Sequence, residues 1–474
     1  MAALPDKNTA FMDWYLEMVD RAEISDKRYP VKGMNVWTPY GFQARRLLDA
    51  RWIREIEATG SQAVEFPALI PETEFSKERE HIKGFDHEVF WVTKGGGSPL
   101  EIPLVLRPTS ESAIYPIFAL WVRSHRDLPL NVYQIVNTFR SDTKTTRPFL
   151  RVREIHFFEE HTCQVDEAAA TRRVESNIAA FAQMARAWAL PYLPIRRPEW
   201  DKFPGAFYSI AFDLPLVGAR TIQLGTVHHY RENFSRPYGI VYEDVGGTQR
   251  FAHQTTFGLS ERLLGAILAS HGDQKGAIFP SELAPVQVVI IPIADASGGS
   301  NPESVARDLL GRLTARGLRV RLDDRDDRPG AKYYYWEERG VPLRIDVGKR
   351  EAASRTATVV NRLGERQTVG PDGVEDGVVQ ALARFDATLA ERAQLAFRSQ
   401  FEVAGELAQL RTATKVQVVA WCGEEACGHA VEQAIDGALL GTPEVPLPIE
   451  LPPLPLCIAC GKGATRWALA GRPI

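Results

Sequence analysis

Cysteine is scarce and unevenly placed: of 474 residues only five are cysteine, Cys163 stands alone, and Cys422, Cys427, Cys457 and Cys460 fall within the last 53. That asymmetry excludes a disulfide framework spread over the fold. In a cytosolic chain, C-x4-C followed thirty residues later by C-x2-C reads instead as a four-thiolate zinc site. Long apolar runs are missing too. No stretch of about 18 apolar residues occurs, which argues against a membrane-spanning helix. The first residues carry Asp6, Asp13, Glu17 and Asp20, unlike a signal or transit peptide, so the expected location is the cytosol. An excess of one charge is also lacking. With 56 basic and 60 acidic residues the net charge is −4, which excludes wholesale coating of nucleic acid but leaves local phosphate-binding patches open. Two such patches stand out: Lys144, Arg147, Arg151 and Arg153, then Arg344, Lys349 and Arg350.

What is present describes an ordinary globular chain, 45% hydrophobic and 24% charged, too long for one compact core. From Ala10 to about Pro285 amphipathic helices mix with short strands in no simple alternation, predicting an α+β domain around a largely antiparallel sheet. Phe42, Leu48, Trp52, Ile53 and Ile56 share a helical face, Gly60 ends that helix, and a strand is predicted over Gln62–Phe66. The glycines at 95–97 mark a hairpin loop rather than a phosphate cradle, since no helix start or Lys-Ser/Thr follows them. After Pro285 strand and helix alternate: strands Val286–Ile291, Leu318–Leu322 and Leu343–Val347, helices Pro302–Arg316 and Lys332–Arg339. A Ser/Gly-rich loop, Ala294 to Ser300, joins the first pair. This is a separate α/β unit. A long helix from about Glu375 to Phe401 is expected as a spacer to the cysteine-bearing tail.

Two segments carry candidate chemistry. In NVYQIVNTFRSDTKTTRPFLRVREIHFFEEH (131–161) a strand ends at Arg140, a basic loop follows, and a second strand returns through Arg151 to Glu159. An arginine fixed on a strand can hold one phosphate bidentately while loop arginines reach others. Taken alone, the segment is equally an exposed hairpin with a solvated charged turn. In FAHQTTFGLSERLLGAILASHGDQKGAIFP (251–280) Arg262 sits in the first turn of an amphipathic helix. A cation there opposes the helix dipole unless an anion joins it. A solvated arginine is the alternative.

These residues resemble a known family. FRSD with RPFLRVRE resembles motif 2 (about 131–161) of the class II aminoacyl-tRNA synthetases, GLSERLLG their motif 3 (about 251–280), and Gly60 to Pro67 their motif 1 dimer element (about 41–71). Leu106-Arg-Pro-Thr109-Ser-Glu111-Ser is similar to the proline-binding loop of prolyl-tRNA synthetases. Gln223-Leu-Gly225-Thr226 with Glu232-Asn233-Phe234 resembles a second pocket segment. DDRDDRPGAKYYYWEERGVPLRIDVGKRE (323–351) resembles their anticodon-binding domain, and the four-cysteine tail their archaeal/eukaryote-like form.

The resemblance implies a catalytic core over 1–284, an anticodon-binding domain over 285–390 and a small α/β zinc-binding domain over 391–474. It implies proline activation by ATP with Mg²⁺ and transfer to tRNA(Pro), by a homodimer with no DNA or membrane partner. Arg140 is implied at the α-phosphate and substrate carboxylate, Arg151 and Arg262 at the γ-phosphate, with Gln223 and Thr226 nearby. Asp142 stands where the family has a glutamate facing adenine. Thr109 and Glu111 accept hydrogen bonds from the substrate ammonium, while Phe157, Glu159 and His161 wall the pyrrolidine ring beside His228 and Thr255. Glu337 and Arg350 match positions that read anticodon guanines, and Arg344 or Lys349 share the contact. Only 121 residues separate Arg140 from Arg262, too few for the bacterial-type editing insertion, so alanine activation without hydrolysis in cis is expected. A threonyl or seryl enzyme of the same class, or a catalytically silent RNA-binding paralogue, shares parts of this pattern. The first lacks support because its core zinc needs Cys and His where only Cys163 exists. The second lacks it because Arg140, Arg262 and Glu111 are all present.

Overall fold

A computed structural model of the chain describes residues 3–79, 89–141, 145–294, 301–370 and 373–474. Asp142, Lys144 and residues 295–300 of the expected Ser/Gly-rich loop lie outside the described residues.

The helix Pro39–Glu57 shows how local signals set the elements. Thr38 caps it by accepting from Gly41 N at 3.0 Å, Pro39 occupies the first position, and Gly60 follows its end with a φ of +86°. Its buried face, Ala44, Leu48, Trp52 and Ile56, packs on a large sheet whose same face carries Phe158, Phe212, Val227 and Phe257. Helices Phe11–Arg21, Glu167–Ala187 and Arg262–His271 join that core. Each fully buried aromatic or leucine there contributes on the order of 2 kcal/mol by leaving water.

The sheet runs, edge to edge, Phe401–Val403, Val416–Trp421, Arg466–Pro473, Ala438–Pro443, Leu193–Arg196, Tyr208–Leu216, Arg220–Arg231, His253–Ser260, Glu154–Gln164, Leu130–Phe139 and Gln62–Ala63. Its central pairs are antiparallel, as the irregular helix–strand pattern suggests. The strand predicted over Gln62–Phe66 is shorter, Gln62–Ala63: Val64 N still donates to Tyr133 O (2.9 Å), but Phe66 N turns to the Gln134 side chain (2.9 Å).

The tail is not set apart from this sheet. Ala438–Pro443 pairs with Leu193–Arg196, and Arg472 and Pro473 lie in parallel register with Arg220 and Thr221. Alternation lets these strands serve two cores: Val416, Val418 and Leu469 face the main one, while Val419, Trp421, Ala468 and Ala470 face a smaller one with Cys427 and Cys457.

The α/β unit forms its own five-stranded sheet, ordered Val320–Leu322, Val288–Pro292, Leu343–Val347, Ala357–Asn361 and Arg366–Val369, with the first three strands parallel. Rather than spacing two domains, helix Val374–Arg398 packs along them. Val374, Val378 and Leu382 lie in the second core, Phe385 and Leu389 meet Ile278, and Phe397 enters the main core. The two units are also joined by Arg362, 1% exposed, whose guanidinium binds Asp273 at 2.7 and 3.1 Å and the Glu337 carbonyl at 2.9 Å. Arg362→Ala should destabilise the fold by roughly 3 kcal/mol, the low end for breaking a buried pair because Asp273 keeps some solvent. Chemical denaturation checks this, and adding Asp273→Ala should recover part of the loss.

Candidate active site

On the face of the large sheet opposite the main core lies a cavity of about 390 Å³. Eleven of the residues singled out in the sequence line it: Thr109, Glu111, Arg140, Arg151, Phe157, Glu159, His161, Gln223, Thr226, His228 and Arg262. They come from five places in the chain. Strand parity explains most of the gathering: Phe157, Glu159 and His161 alternate on one face of Glu154–Gln164, while Phe158 goes to the core. On Arg220–Arg231 simple parity fails, since 223 and 226 differ by three. A β-bulge at Leu224, opposite Phe212 and Asp213, resets the alternation and brings both Gln223 and Thr226 to the cavity.

One expected residue is misplaced by that same logic. Thr255 does not line the cavity. Its hydroxyl lies 2.7 Å from Thr162 Oγ1 on the opposite face, and the neighbouring Thr256 lines the cavity instead. Glu337 and Arg350 lie in the α/β unit: Lys275 donates to Glu337 at 2.9 Å, and Arg350 is 88% exposed beside Glu351.

The cavity has two chemically distinct ends. At one, Arg262 opens helix Arg262–His271, donates to Leu150 O (3.0 Å) and Gln223 O (3.5 Å), and shares the space with Arg140 and Arg151. Gly265 permits this approach, because a Cβ there would sit about 2.9 Å from Leu150 and the Tyr15 hydroxyl and 3.0 Å from Phe149. Burial first, then the charges of Arg140 and Arg151, lower the Arg262 pKa to about 10. Such a cluster is stabilised by polyanions.

At the other end Glu111, buried, accepts from Thr109 and, at 3.2 Å, from the Tyr230 hydroxyl. Among the described residues no cation pairs with it. Glu159 is different: Ser110 and Gln134 (2.8 Å) donate to one oxygen, and His161 Nε2 lies 2.9 Å from the other. Burial opposes charge on both members, but the hydrogen bond and attraction between them hold Glu159 below and His161 above their ordinary values. His228 lies tilted against Phe203, ring centres 4.9 Å apart, with Ser209 Oγ 2.7 Å from its Nδ1; burial, then repulsion by His161, pushes it down to about 3. Phe203, Ser209 and Tyr230 lie outside the motifs read in the sequence, and Ser110 and Gln134 lie inside them without a role of their own; all five are found only through these contacts.

In the smaller core of the tail the four late cysteines converge. Cys422 follows strand Val416–Trp421, Cys427 lies in helix Glu425–Ile435, and Cys457 and Cys460 share a turn closed by Cys457 N to Lys462 O (2.7 Å) and Gly461 N to Cys457 O (2.9 Å). Their sulfurs all lie within 4.8 Å of one another. Tetrahedral zinc with sulfur at about 2.3 Å requires sulfur separations of about 3.8 Å, so the donor set and spacing fit that ion.

Comparison with known proteins agrees with this geometry. The tRNA synthetase class II core domain (G, H, P, S and T) matches residues 90–271, and the anticodon binding domain matches 287–381. The chain is 45% identical over 460 residues to a proline–tRNA ligase of Thermococcus kodakarensis, covering 96% of each. With the corresponding ligase of Methanothrix thermoacetophila it is 47% identical over 469 residues, 98% of this chain and 96% of that one. The chain belongs to the prolyl-tRNA synthetases. Among solved members of that family, the Giardia lamblia enzyme in complex with prolyl-adenylate superposes with a TM-score of 0.92 at 33% identity over the full length of both chains. The Cryptosporidium parvum enzyme complexed with L-proline and AMP gives 0.91 at 29% identity, covering 100% of this chain and 97% of that one.

The low pKa of His228 has a consequence for stability. Between about pH 6.5 and 3 the unfolded chain binds a proton that the folded site refuses, so stability falls as pH falls through that window. His228→Asn, which retains a partner for Ser209, should make this fall shallower by up to about 1.4 kcal/mol per pH unit, as measured by denaturant melts from pH 4 to 6.

Proposed function

We propose that this cavity activates L-proline with ATP, taken as its Mg²⁺ complex, and that the chain then transfers proline to the 3′-terminal adenosine of tRNA(Pro). The observation that carries the reading is the division of charge: an uncompensated carboxylate, Glu111, at one end and three guanidinium groups at the other. A zwitterionic amino acid joined to a triphosphate has the complementary pattern. Proline's secondary ammonium offers two N–H donors, one for Glu111 and one for the Thr109 oxygen, which itself donates to Glu111. Phe157, His161, Phe203 and His228 enclose the ring.

With the ammonium fixed, the proline carboxylate faces the arginine end. It attacks the α-phosphorus and pyrophosphate departs, leaving the mixed anhydride of proline and AMP. Arg140 steadies the α-phosphate and carboxylate; Arg151 and Arg262 hold the outer phosphates in line for departure. No general base is needed, since the nucleophile is already ionised. In the second step the terminal adenosine hydroxyl attacks the acyl carbon and AMP leaves. Asp142 is the proposed adenine contact. Glu337 and Arg350 are proposed to read the anticodon, Glu337 exchanging its bond with Lys275 for one to a base edge.

We further infer a cytosolic homodimer. No helix among the described residues is long and apolar enough to cross a membrane. Leu69 and Ile102, 41% and 45% exposed, lie on one face of the sheet formed by Leu69–Pro71, Ser98–Leu106 and Phe90–Gly95, an apolar surface that a second copy would cover. Cys422, Cys427, Cys457 and Cys460 hold a structural zinc ion, which with four protein ligands keeps no open position for catalysis.

Proline-dependent ATP–pyrophosphate exchange tests the central reading; exchange with threonine or serine instead, or none, overturns it. Glu111→Gln removes a charged hydrogen-bond partner worth about 1.5–3 kcal/mol, so kcat/KM for proline should fall about 10- to 150-fold, with KM for ATP little changed. Chelation should release one zinc per chain and lower the melting temperature while exchange persists at ordinary temperature; a chain that holds no zinc when purified with the metal contradicts the assignment.

A further inference from the structure

Arg197 lies in the same cavity but fits none of these roles. Its side chain is 7% exposed, and its guanidinium meets the buried Asp213 through two parallel hydrogen bonds of 2.8 and 2.9 Å, with Asp201 a further 3.6 Å from Nε. Two carboxylates around one guanidinium leave little positive charge for a phosphate, which sets Arg197 apart from the Arg262 cluster. What remains is its capacity to donate. Nη1 also donates to Leu440 O at 2.8 Å, and Nη2 to Gln223 Oε1 at 3.0 Å.

Two β-bulges converge on it. Leu224 is the extra residue beside Gln223, and Leu440 is the extra residue between Leu439 and Gly441 in the cysteine-bearing tail. An extra residue is left out of the ladder pairing, so the Leu440 carbonyl is available to Arg197. Gly441 makes the approach possible: its φ is +117°, and a Cβ there would lie 2.0 Å from Arg196 O. No side chain can occupy that position without parting the strands.

The chemistry of guanidinium then fixes the orientation of Gln223. Arginine has donors only, so the amide oxygen must face Arg197 and the amide NH₂ must face away from it. At that end of the cavity Arg262 donates to the Gln223 carbonyl. We propose that Arg197 is a positioning residue for the nucleotide: it holds Gln223 so that its NH₂ meets an acceptor of ATP, and through Leu440 it ties this geometry to the tail. The inference rests on the nucleotide occupying the Arg262 end.

Arg197→Lys keeps the charge opposite Asp213, but one ammonium cannot span three acceptors in the same geometry. In proline-dependent exchange the KM for ATP should rise about tenfold, the loss of one well-made hydrogen bond, with KM for proline within about twofold, while the melting temperature falls because buried acceptors lose a donor. Gln223→Met should raise KM for ATP similarly, and Arg197→Lys should add nothing further in that background. An unchanged KM for ATP, a comparable rise in both KM values, or additive effects of the two substitutions would overturn the proposal. Failure of the unaltered enzyme to exchange would instead overturn the proposed function.

Discussion

Gathering Arg140, Arg151 and Arg262 around one buried space is unfavourable, and the depressed pKa of Arg262 shows its origin: burial first, then the two neighbouring charges. Nothing in a free chain would assemble this cluster, so the rest of the fold must hold it. Arg140 follows one strand of the hairpin, Arg151 lies in the turn before the other, and Arg262 is fixed by the helix whose Leu263, Leu264, Ile267 and Leu268 are buried in the main core. Hydrophobic burial in that core offsets the repulsion. The result is a site already arranged for the charge that develops when pyrophosphate leaves, rather than one that must reorganise.

The same sheet that supports the arginines also connects the tail to the site. Strand Arg220–Arg231 carries Thr221, whose carbonyl accepts from Ile474 N at 3.0 Å, and two residues later Gln223. It then reaches His228 after about 16 Å at roughly 3.3 Å per residue. One strand therefore spans the tail contact, the nucleotide end and the proline end. The cysteine-bearing tail and the chemistry are thus joined through successive strands of one sheet.

Much of this was legible in the sequence where spacing and chemistry agree. The hairpin bearing Arg140 and Arg151, the Arg262 helix start and the paired cysteines are local patterns, and local patterns survive folding. The α/β unit's alternation is likewise visible, with strand Leu343–Val347 found at its expected limits. What failed was non-local or depended on parity. Thr255 and Thr256 are adjacent identical residues, and only the register against Glu154–Gln164 says which faces the cavity. Gln223 reaches the site through a bulge that no composition marks. Arg197 and Asp213 are 16 residues apart, the first just past the end of strand Leu193–Arg196 and the second on its neighbour, and look like two ordinary surface charges until their burial is known. The helix after residue 374 has the amphipathic pattern of a spacer, yet its successive turns pack on three different cores.

The proline end adds a constraint of its own, because the four titratable groups there, Glu111, Glu159, His161 and His228, must leave a carboxylate for the substrate ammonium. Glu159 and His161 are partners of each other, leaving Glu111 as the carboxylate available to a substrate ammonium. His228 lines the same small space, and a proton on it would supply the missing cation from within and weaken the attraction for proline. Burial and the nearby His161 charge prevent that by keeping its pKa near 3. Two histidines, on the strands that flank His253–Ser260, thus take opposite roles. The one against Glu159 is held above its ordinary pKa by a carboxylate that shapes the pocket, and the one against Ser209 and Phe203 is held well below it, so that no proton on it competes with the substrate ammonium for Glu111.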